Sequence, residues 1–266
     1  MNVLSLFDGM SCGQIALDQL GIKIDNYYAA EIDKYAIEIA KKNYPNTIHL
    51  GDVTKIKGED LPQIDLLIGG SPCQGFSVAG TQLNFDDPRS ALFFDYVRLL
   101  KETKPKYFLL ENVRMKKDWE NVISEYLNVE PIIINSSCVS AQNRVRLYWT
   151  NIPNIQKPED KNILLKDIIE NGIASDEMIT KNKKSYCVTA TYAKAVPSNS
   201  INKKQRTMIK ILDSNDYRKL TPVECERLQT VPDGYTEGVS NSQRYKMLGN
   251  GWTVEVIKHI FKNMEV

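Results

Sequence analysis

Histidine and closely paired cysteines are scarce in this chain, and the scarcity excludes several kinds of site. With only 2 histidines among 266 residues, a histidine-based catalytic triad is nearly excluded. The 5 cysteines are odd in number and far apart, and no two of them are separated by only two residues. That spacing supports neither a zinc site nor a disulfide framework. We therefore expect a reduced, cytoplasmic protein without a bound metal.

Long apolar runs, a signal segment and a strong net charge are also missing. No stretch of roughly 18 or more apolar residues occurs, so no membrane span is expected. The first residues lack a basic segment followed by an apolar core, which disfavours a secretory signal. With a net charge of +1, the chain as a whole does not indicate a polyanionic partner. Its length suits one large α/β domain with an insertion, or two modest domains.

Residues 66–80 combine a buried strand with an abrupt end. The apolar run at 64–68 leads into two glycines, which is typical of a buried strand. Pro72 removes a backbone donor and restricts the residue before it, so the strand must stop there. Cys73 then follows the carboxyl end of a strand, the edge at which open α/β sheets bind ligands. Two interpretations stay open from this stretch alone: Cys73 is a nucleophile, or it is a small buried apolar side chain.

Three successive strand ends present a glycine turn or an acid at one sheet edge. Residues 2–20 predict a strand, a glycine-bearing turn and a helix, and Glu31 and Asp52 follow the next two strands. An acid in the position of Glu31 can accept hydrogen bonds from ribose hydroxyls, and Asp52 could accept from an adenine amino group. The turn is not GxGxxG, which disfavours a dinucleotide phosphate site. The pattern predicts an adenosyl pocket; the alternatives are a structural turn and, for Asp33, a helix N-cap.

Charged side chains are also predicted farther along the chain. A fifth strand leads into Glu111, which would lie beside Cys73 in a parallel sheet. Two further strands, before and after residues 140–144, predict a hairpin at the sheet edge. Arg144 and Arg146 are separated by one residue, so both side chains are expected on one face.

The composition changes between residues 151 and 217, which are rich in Asn, Lys and Ser. Residues 178–210 hold eight lysines and arginines and no acid, together with Tyr186 and Tyr192. Such a run suits contacts to phosphates and bases, and a solvated lysine-rich surface is the alternative. Near the C-terminus, Gly-Asn-Gly at 249–251 interrupts a helical pattern, which predicts a break where the backbone meets a ligand.

Six short motifs resemble those of the cytosine-C5 DNA methyltransferase family, in the family's order. They are Phe-Asp-Gly at 7–9, Pro-Cys-Gln at 72–74, Glu-Asn-Val at 111–113, Gln-x-Arg-x-Arg at 142–146, residues 218–229 and Gly-Asn at 249–250. Each is common alone, whereas six in order are very unlikely by chance. The resemblance covers essentially the whole chain outside residues 151–217. Ser11, Cys12 and Trp252 resemble the Dnmt3 branch, whereas Gln142 keeps the bacterial form.

The resemblance implies a fold class and partners. The fold would be α/β: a Rossmann-like S-adenosylmethionine-dependent methyltransferase sheet with helices on both faces, plus a small target-recognition region. Residues 1–150 would form the catalytic and cofactor-binding domain, 151–217 the target-recognition region, and 218–266 a segment returning to the catalytic domain. Expected ligands are S-adenosyl-L-methionine, with S-adenosyl-L-homocysteine as product, and double-stranded DNA. A compact, monomeric enzyme of a bacterial or phage-infected cell is expected.

The resemblance also implies roles for single residues. Cys73 would add to C6 of a flipped-out cytosine, Glu111 would hydrogen-bond N3 and the exocyclic amine, and Arg144 would bind the O2 side. Other motif residues expected at the catalytic centre are Asn112, Gln142 and Arg146. Those expected to line the cofactor are Phe7, Asp8, Gly9, Met10, Ser11, Cys12, Glu31, Ile32, Asp52, Val53, Pro72, Asn250, Gly251 and Trp252. Residues 75–87 are expected to form a lid, with Ser77 and Gln82 as candidates to fill the vacated base stack.

Two alternative functions remain open. A tRNA cytosine-C5 methyltransferase of the Dnmt2 type shares this core, but such enzymes carry Cys-Phe-Thr where this chain has Cys-Val-Thr at 187–189. An inactive DNA-binding homologue is the other alternative, and the retained Cys73, Glu111 and Arg144 argue against it.

Overall fold

Two stretches of the chain are described by the computed structural model: residues 1–72 and residues 88–265, the latter without the side chains of residues 88–90. Cys73, the expected nucleophile, lies outside these described residues, as does the expected lid at 75–87 with Ser77 and Gln82. Within the described stretches, no helix is long and apolar enough to cross a membrane.

Short strands alternate with helices along the first half of the chain. The strands are β1 (Asn2–Leu6), β2 (Asn26–Ala30), β3 (Ile48–His49), β4 (Leu66–Gly69), β5 (Tyr107–Val113), β6 (Ile132–Asn135), β7 (Gln142–Asn143), β8 (Val145–Thr150), β9 (Ser185–Tyr186), β10 (Met208–Lys210) and β11 (Tyr217–Lys219). The helices are α1 (Cys12–Gln19), α2 (Lys34–Asn43), α3 (Pro88–Thr103), α4 (Lys117–Leu127), α5 (Pro197–Ile201), α6 (Pro222–Leu228), α7 (Asn241–Asn250) and α8 (Val254–Phe261).

Seven strands form one mixed sheet in the order β3-β2-β1-β4-β5-β8-β6. The strands β1 to β5 pair in parallel, whereas β8 pairs antiparallel with both β5 and β6. The strand order reverses between β1 and β4, so a crevice forms at their carboxyl ends. The predicted hairpin of β6 and β8 is present at the edge of the sheet, with β6 outermost and β8 paired to β5.

Helices cover both faces of this sheet, because its buried strands are apolar on both sides. Val3 and Leu66 pack into one core, with apolar residues of α1, α2 and α8. Their chain neighbours Leu4 and Leu67 pack into a second core, with residues of α3 and α4. The alternation follows from the two-residue period of a strand. The predicted α/β fold with helices on both faces is therefore confirmed.

Two local predictions near helix ends are also confirmed. Asp33 caps α2, and its Oδ1 accepts the backbone N–H of Tyr35 at 3.0 Å. The C-terminal helical pattern is broken, since α7 ends at Asn250 and α8 begins at Val254. Gly249 is required there, because a Cβ atom on it would lie 2.0 Å from the carbonyl carbon of Thr189.

Residues 151–217 share a core with the sheet, and this changes the interpretation of their basic and aromatic side chains. Tyr192 is 1% exposed, and its hydroxyl donates to the carbonyl of Thr207. Lys184 is 5% exposed, and its ammonium donates to the backbone carbonyls of Ser137, Ser140 and Ile163. The expectation that these two side chains reach nucleic acid is wrong, because both are buried structural groups.

Candidate active site

A cavity of about 620 Å³ opens at the carboxyl ends of the parallel strands. Most of the residues singled out from the sequence line it together. These are Phe7, Asp8, Gly9, Cys12, Glu31, Ile32, Asp52, Val53, Pro72, Glu111, Asn112, Arg144, Arg146, Asn250, Gly251 and Trp252. Three described residues of the same set, Met10, Ser11 and Gln142, are buried and do not line the cavity.

The turn after β1 forms one end of the cavity. Gly9 has a positive φ of 58°, and its backbone N–H donates to Oε2 of Glu31 at 2.8 Å. Asp8 accepts hydrogen bonds from the hydroxyls of Ser5, Tyr27 and Ser11. Burial raises the pKa of the Asp8 carboxyl to about 6, although these three hydroxyl donors act to lower it. The turn is thus a preorganised polar structure tied to the end of β2.

The ends of β2 and β3 supply acids and an apolar surface. The Oε1 atom of Glu31 accepts the backbone N–H groups of Ile32 and Asp33, both at 2.8 Å. Asp52 begins the next turn, and its Oδ1 accepts the N–H of Thr54 at 3.0 Å. Ile32 is 77% exposed, which is unusual for isoleucine in a folded protein. An exposed apolar side chain between two acids suits a flat ring with hydroxyl and amino groups at its rim.

Glu111 forms the opposite wall, on β5. Its Oε1 lies 2.9 Å from Nε of Arg146, and its Oε2 accepts the indole N–H of Trp252 at 3.0 Å. Burial acts to lower the pKa of Arg146, but Glu111, Cys187 and Tyr148 together outweigh it, so this pKa lies above its ordinary value. A nearly buried carboxylate with two fixed donors is thus aimed at the cavity.

Asn112, the next residue on β5, ties this wall to the segment that precedes Cys73. Its Nδ2 donates to the carbonyl of Ser71 at 3.2 Å, and its own Oδ1 accepts the N–H of Val113 at 2.8 Å. Pro72, the last described residue before Cys73 in the sequence, also lines the cavity.

Arg144 and Arg146 point to one side of the sheet, as predicted, and both reach the thiol of Cys187. Their partners differ. Arg144 is 3% exposed, and its guanidinium donates to the backbone carbonyls of Val188 at 2.9 Å and Gly251 at 2.7 Å. Arg146 instead pairs with Glu111. Arg144 therefore has the surroundings of a structural anchor.

The family model of C-5 cytosine-specific DNA methylases matches residues 1–171 and 133–266, which together span the chain. The chain belongs to this family. The assignment to the DNA (cytosine-5) methyltransferases made from the motifs is therefore confirmed.

Named relatives agree with this assignment. The chain is 32% identical over 303 residues to the type II methyltransferase M1.ScrFI of Lactococcus lactis subsp. cremoris, covering 98% of this chain and 77% of the relative. It is 27% identical to the type II methyltransferase M.HhaI of Haemophilus parahaemolyticus, covering 99% and 94% of the two chains.

Solved structures show the same fold. The methyltransferase EhMeth of Entamoeba histolytica superposes with a TM-score of 0.77 at 19% identity, over 100% of this chain and 99% of the other. The Dnmt2 methyltransferase of S. pombe gives a TM-score of 0.72 at 20% identity, over 98% and 97%. The predicted Rossmann-like methyltransferase sheet is therefore confirmed.

Gln142 serves this methylase as an internal connector. It is 0% exposed; its Nε2 donates to Oε1 of Gln229 at 2.8 Å, and its Oε1 accepts the N–H of Val188 at 3.2 Å. Gln229 in turn donates to the carbonyl of Gly251 at 3.0 Å. The motif glutamine thus joins residues 187–189 to the break between α7 and α8.

Sequence reasoning missed the ionic contact between Lys246 and Asp33 at the cavity, as it missed the pair of Glu111 and Arg146. Nζ of Lys246 lies 2.6 Å from Oδ2 of Asp33, and both residues line the cavity. Lys246 precedes Asn250 by four residues on α7, and residues at that spacing share a helix face. The helical period therefore predicts that Lys246 lies on the same face of α7 as Asn250, and so near the cavity. No group of three or more potential metal-binding side chains occurs in the described ranges 1–72 and 88–265.

Proposed function

We propose that this protein transfers a methyl group from S-adenosyl-L-methionine to C5 of a flipped-out cytosine within a specific duplex DNA sequence. The transfer proceeds through a covalent bond between Cys73 and C6 of the base. The observation that carries the proposal is the Glu111 carboxylate, held by two donors in a cavity shared with the turn after β1.

The side chains that line the cavity fit S-adenosyl-L-methionine. Glu31 and Asp52 would accept from the ribose and the adenine, and Ile32 and Val53 would pack against the ring. The turn from Phe7 to Cys12 would face the methionine end through backbone groups. When bound, the cofactor would supply an electrophilic methyl group. The family and the fold both support this choice of cofactor.

The protein's own groups would activate the cytosine. C5 is a poor nucleophile until the Cys73 thiolate adds to C6 and turns the ring into an enamine. Glu111 would donate a proton at N3 and accept from the exocyclic amine as charge builds on the ring. After C5 takes the methyl group, a base removes the C5 proton and the Cys73 thiolate leaves C6, while N3 returns its proton to Glu111, which restores aromaticity.

Arg146, rather than Arg144, is our candidate for the group that stabilises charge at O2 of the base. The guanidinium of Arg144 already donates to the carbonyls of Val188, Gly249 and Gly251. Arg146 pairs with the carboxylate that would bind N3, so its remaining donors are near the same ring edge.

Residues 151–217 are our candidate for the region that reads the DNA sequence. C6 of a stacked base is inaccessible, so the cytosine must leave the duplex before Cys73 can reach it. Lys181, Lys203 and Lys204 are exposed in this region and suit contacts to phosphates.

Methyl transfer to duplex DNA and to bulk tRNA, compared with radiolabelled S-adenosyl-L-methionine, tests the proposal. We expect label in DNA, no label with Cys73→Ala, a strongly reduced but measurable rate with Glu111→Gln, and bisulfite sequencing that reveals one target motif. Label in tRNA alone would overturn the choice of DNA. Duplex DNA with 5-fluorocytosine at that motif should form an SDS-stable complex, and persistence of this complex in Cys73→Ala would exclude Cys73 as nucleophile.

A further inference from the structure

We propose that Trp252 is a positioning residue for Glu111, in addition to its place in the wall of the cofactor cavity. Its indole N–H orients the carboxylate that meets the cytosine ring. This inference rests on the proposed function, because it concerns the same carboxylate and the same reaction.

Two donors from different parts of the chain determine the orientation of the Glu111 carboxylate. Nε of Arg146, on the neighbouring strand β8, is 2.9 Å from Oε1. The indole Nε1 of Trp252, from the break between α7 and α8, is 3.0 Å from Oε2. One donor on each oxygen resists rotation about the last side-chain bond, which is otherwise a soft torsion. The carboxylate plane is thus set before a base arrives.

The backbone opposite this contact leaves room for it. A Cβ atom on Gly70 would lie 3.1 Å from both Oε2 of Glu111 and Nε1 of Trp252, tighter than an ordinary contact. Gly70 therefore lies directly against the hydrogen bond between the two side chains. The last glycine before Pro72 and Cys73 allows the carboxylate and the indole to meet at this end of β4.

The indole is itself held by buried groups. The carbonyl of Gly251, the residue before Trp252, accepts from Nη2 of Arg144 at 2.7 Å and from Nε2 of Gln229 at 3.0 Å. These anchors restrict the backbone from which the indole projects. The contact with Glu111 is therefore built on rigid support, which positioning of a reacting group requires.

The contact leaves Glu111 able to bind the base. A carboxylate oxygen can accept two hydrogen bonds, so the indole N–H occupies only part of the capacity of Oε2. The remaining lone pairs can accept from the exocyclic amine of cytosine. Trp252 thereby orients Glu111 without competing with the substrate.

Trp252→Phe tests the inference, because it keeps an aromatic ring and removes the N–H donor. Trp149→Phe is the matched control: its indole N–H also donates at 3.0 Å, to Oγ of Ser124, but in a core away from the cavity. Single-turnover methyl transfer, cofactor affinity and the unfolding free energy are measured for both variants with duplex DNA of the identified motif.

We expect Trp252→Phe to lower the single-turnover rate constant about tenfold, since a hydrogen bond to a charged group is lost. The Kd for S-adenosyl-L-methionine should change less than about twofold, and Trp149→Phe should keep the wild-type rate. In a Glu111→Gln background, Trp252→Phe should cause no further loss, because Trp252 acts through Glu111.

The outcomes separate this inference from the proposed function. If the wild type is active and Trp252→Phe keeps the wild-type rate, the positioning role is wrong while the function stands. An equal further loss in the Glu111→Gln background would also overturn it, since the indole would then act independently of the carboxylate. If the wild type transfers no methyl group to DNA, the proposed function fails and the inference fails with it.

Discussion

The Nε atom of Arg146 lies 2.9 Å from Oε1 of Glu111, and both side chains are largely shielded from water, with 13% and 10% exposure. Antiparallel pairing of β5 with β8 brings them together. Arg146 is opposite Val113 in the register, and Glu111 lies two residues before Val113 on the same face of β5, so Glu111 and Arg146 are diagonal neighbours. Arg144, two residues earlier, bonds instead to backbone carbonyls at the α7–α8 break. Two arginines of one motif therefore have different tasks.

Substitution of the two arginines by lysine should separate these tasks. Arg144→Lys leaves the carbonyls of Val188 or Gly249 without the guanidinium donors, so the unfolding free energy should fall by about 2 to 4 kcal/mol. Arg146→Lys keeps a positive charge beside Glu111 but loses the planar guanidinium, so methyl transfer should fall at least about tenfold with a smaller loss of stability.

Urea unfolding and single-turnover methyl transfer of both variants check this contrast. Arg227→Lys is a control, because the half-buried Arg227 pairs with Asp233 and does not line the cavity. Equal stability of Arg144→Lys and the wild type would contradict the structural role given to Arg144.

Asp8 should make stability depend on pH. Burial raises its pKa from 3.8 to about 6 in the folded state, so the folded chain binds this proton more tightly than the unfolded chain. Its contribution is complete below about pH 4 and is lost as the pH rises through about 6, a loss of up to about 3 kcal/mol. Asp8→Asn should remove this loss.

Urea-unfolding free energies from about pH 4 to about pH 7 test the Asp8 prediction. The difference between Asp8→Asn and the wild type should grow in favour of the variant as the pH rises through about 6. Carboxyl groups that do not interact with Asp8 contribute equally in both proteins and cancel in this difference. A difference that does not vary with pH would show that Asp8 titrates near its ordinary value.

Gly249→Ala should displace α7 from the segment that follows Cys187. A Cβ atom there would lie 2.0 Å from the carbonyl carbon of Thr189 and 2.2 Å from the nitrogen of Ala190. Neither backbone atom can yield without moving the Arg144 anchors nearby. We expect a loss of about 2 kcal/mol or more in unfolding free energy, together with most of the methyl transfer.

Gly21→Ala is the control for this substitution. Gly21 has a φ of 67°, and a Cβ atom on it would meet no heavy atom within 4 Å, so the cost is backbone strain of about 1 kcal/mol. Because Gly21 is outside the cavity lining, this variant should keep wild-type activity. Retention of full activity in Gly249→Ala would mean that α7 and residues 189–190 need not be in contact.

Local features of the fold were predictable because their causes are local. Asp33 caps α2 through N–H groups two and three residues away, and the break after α7 follows from a glycine pair within three residues. The hydrophobic run of β4 and its end at Pro72 depend likewise on neighbouring residues. Position within the sheet does not: the same apolar pattern suits an edge or an inner strand, so the predicted hairpin at the sheet edge left open which of its two strands is outermost.

The sequence alone therefore determined the family, the α/β fold and the segments that meet at the cavity, since short motifs and strand patterns carry that information. Only the tertiary structure decided which side chains touch. Glu111 and Trp252 are 141 positions apart in the sequence but share a hydrogen bond. Arg146 differs from Arg144 in that its guanidinium pairs with Glu111, and no sequence pattern showed this difference. Such contacts depend on sheet order and on the burial of many residues at once, which no local pattern encodes.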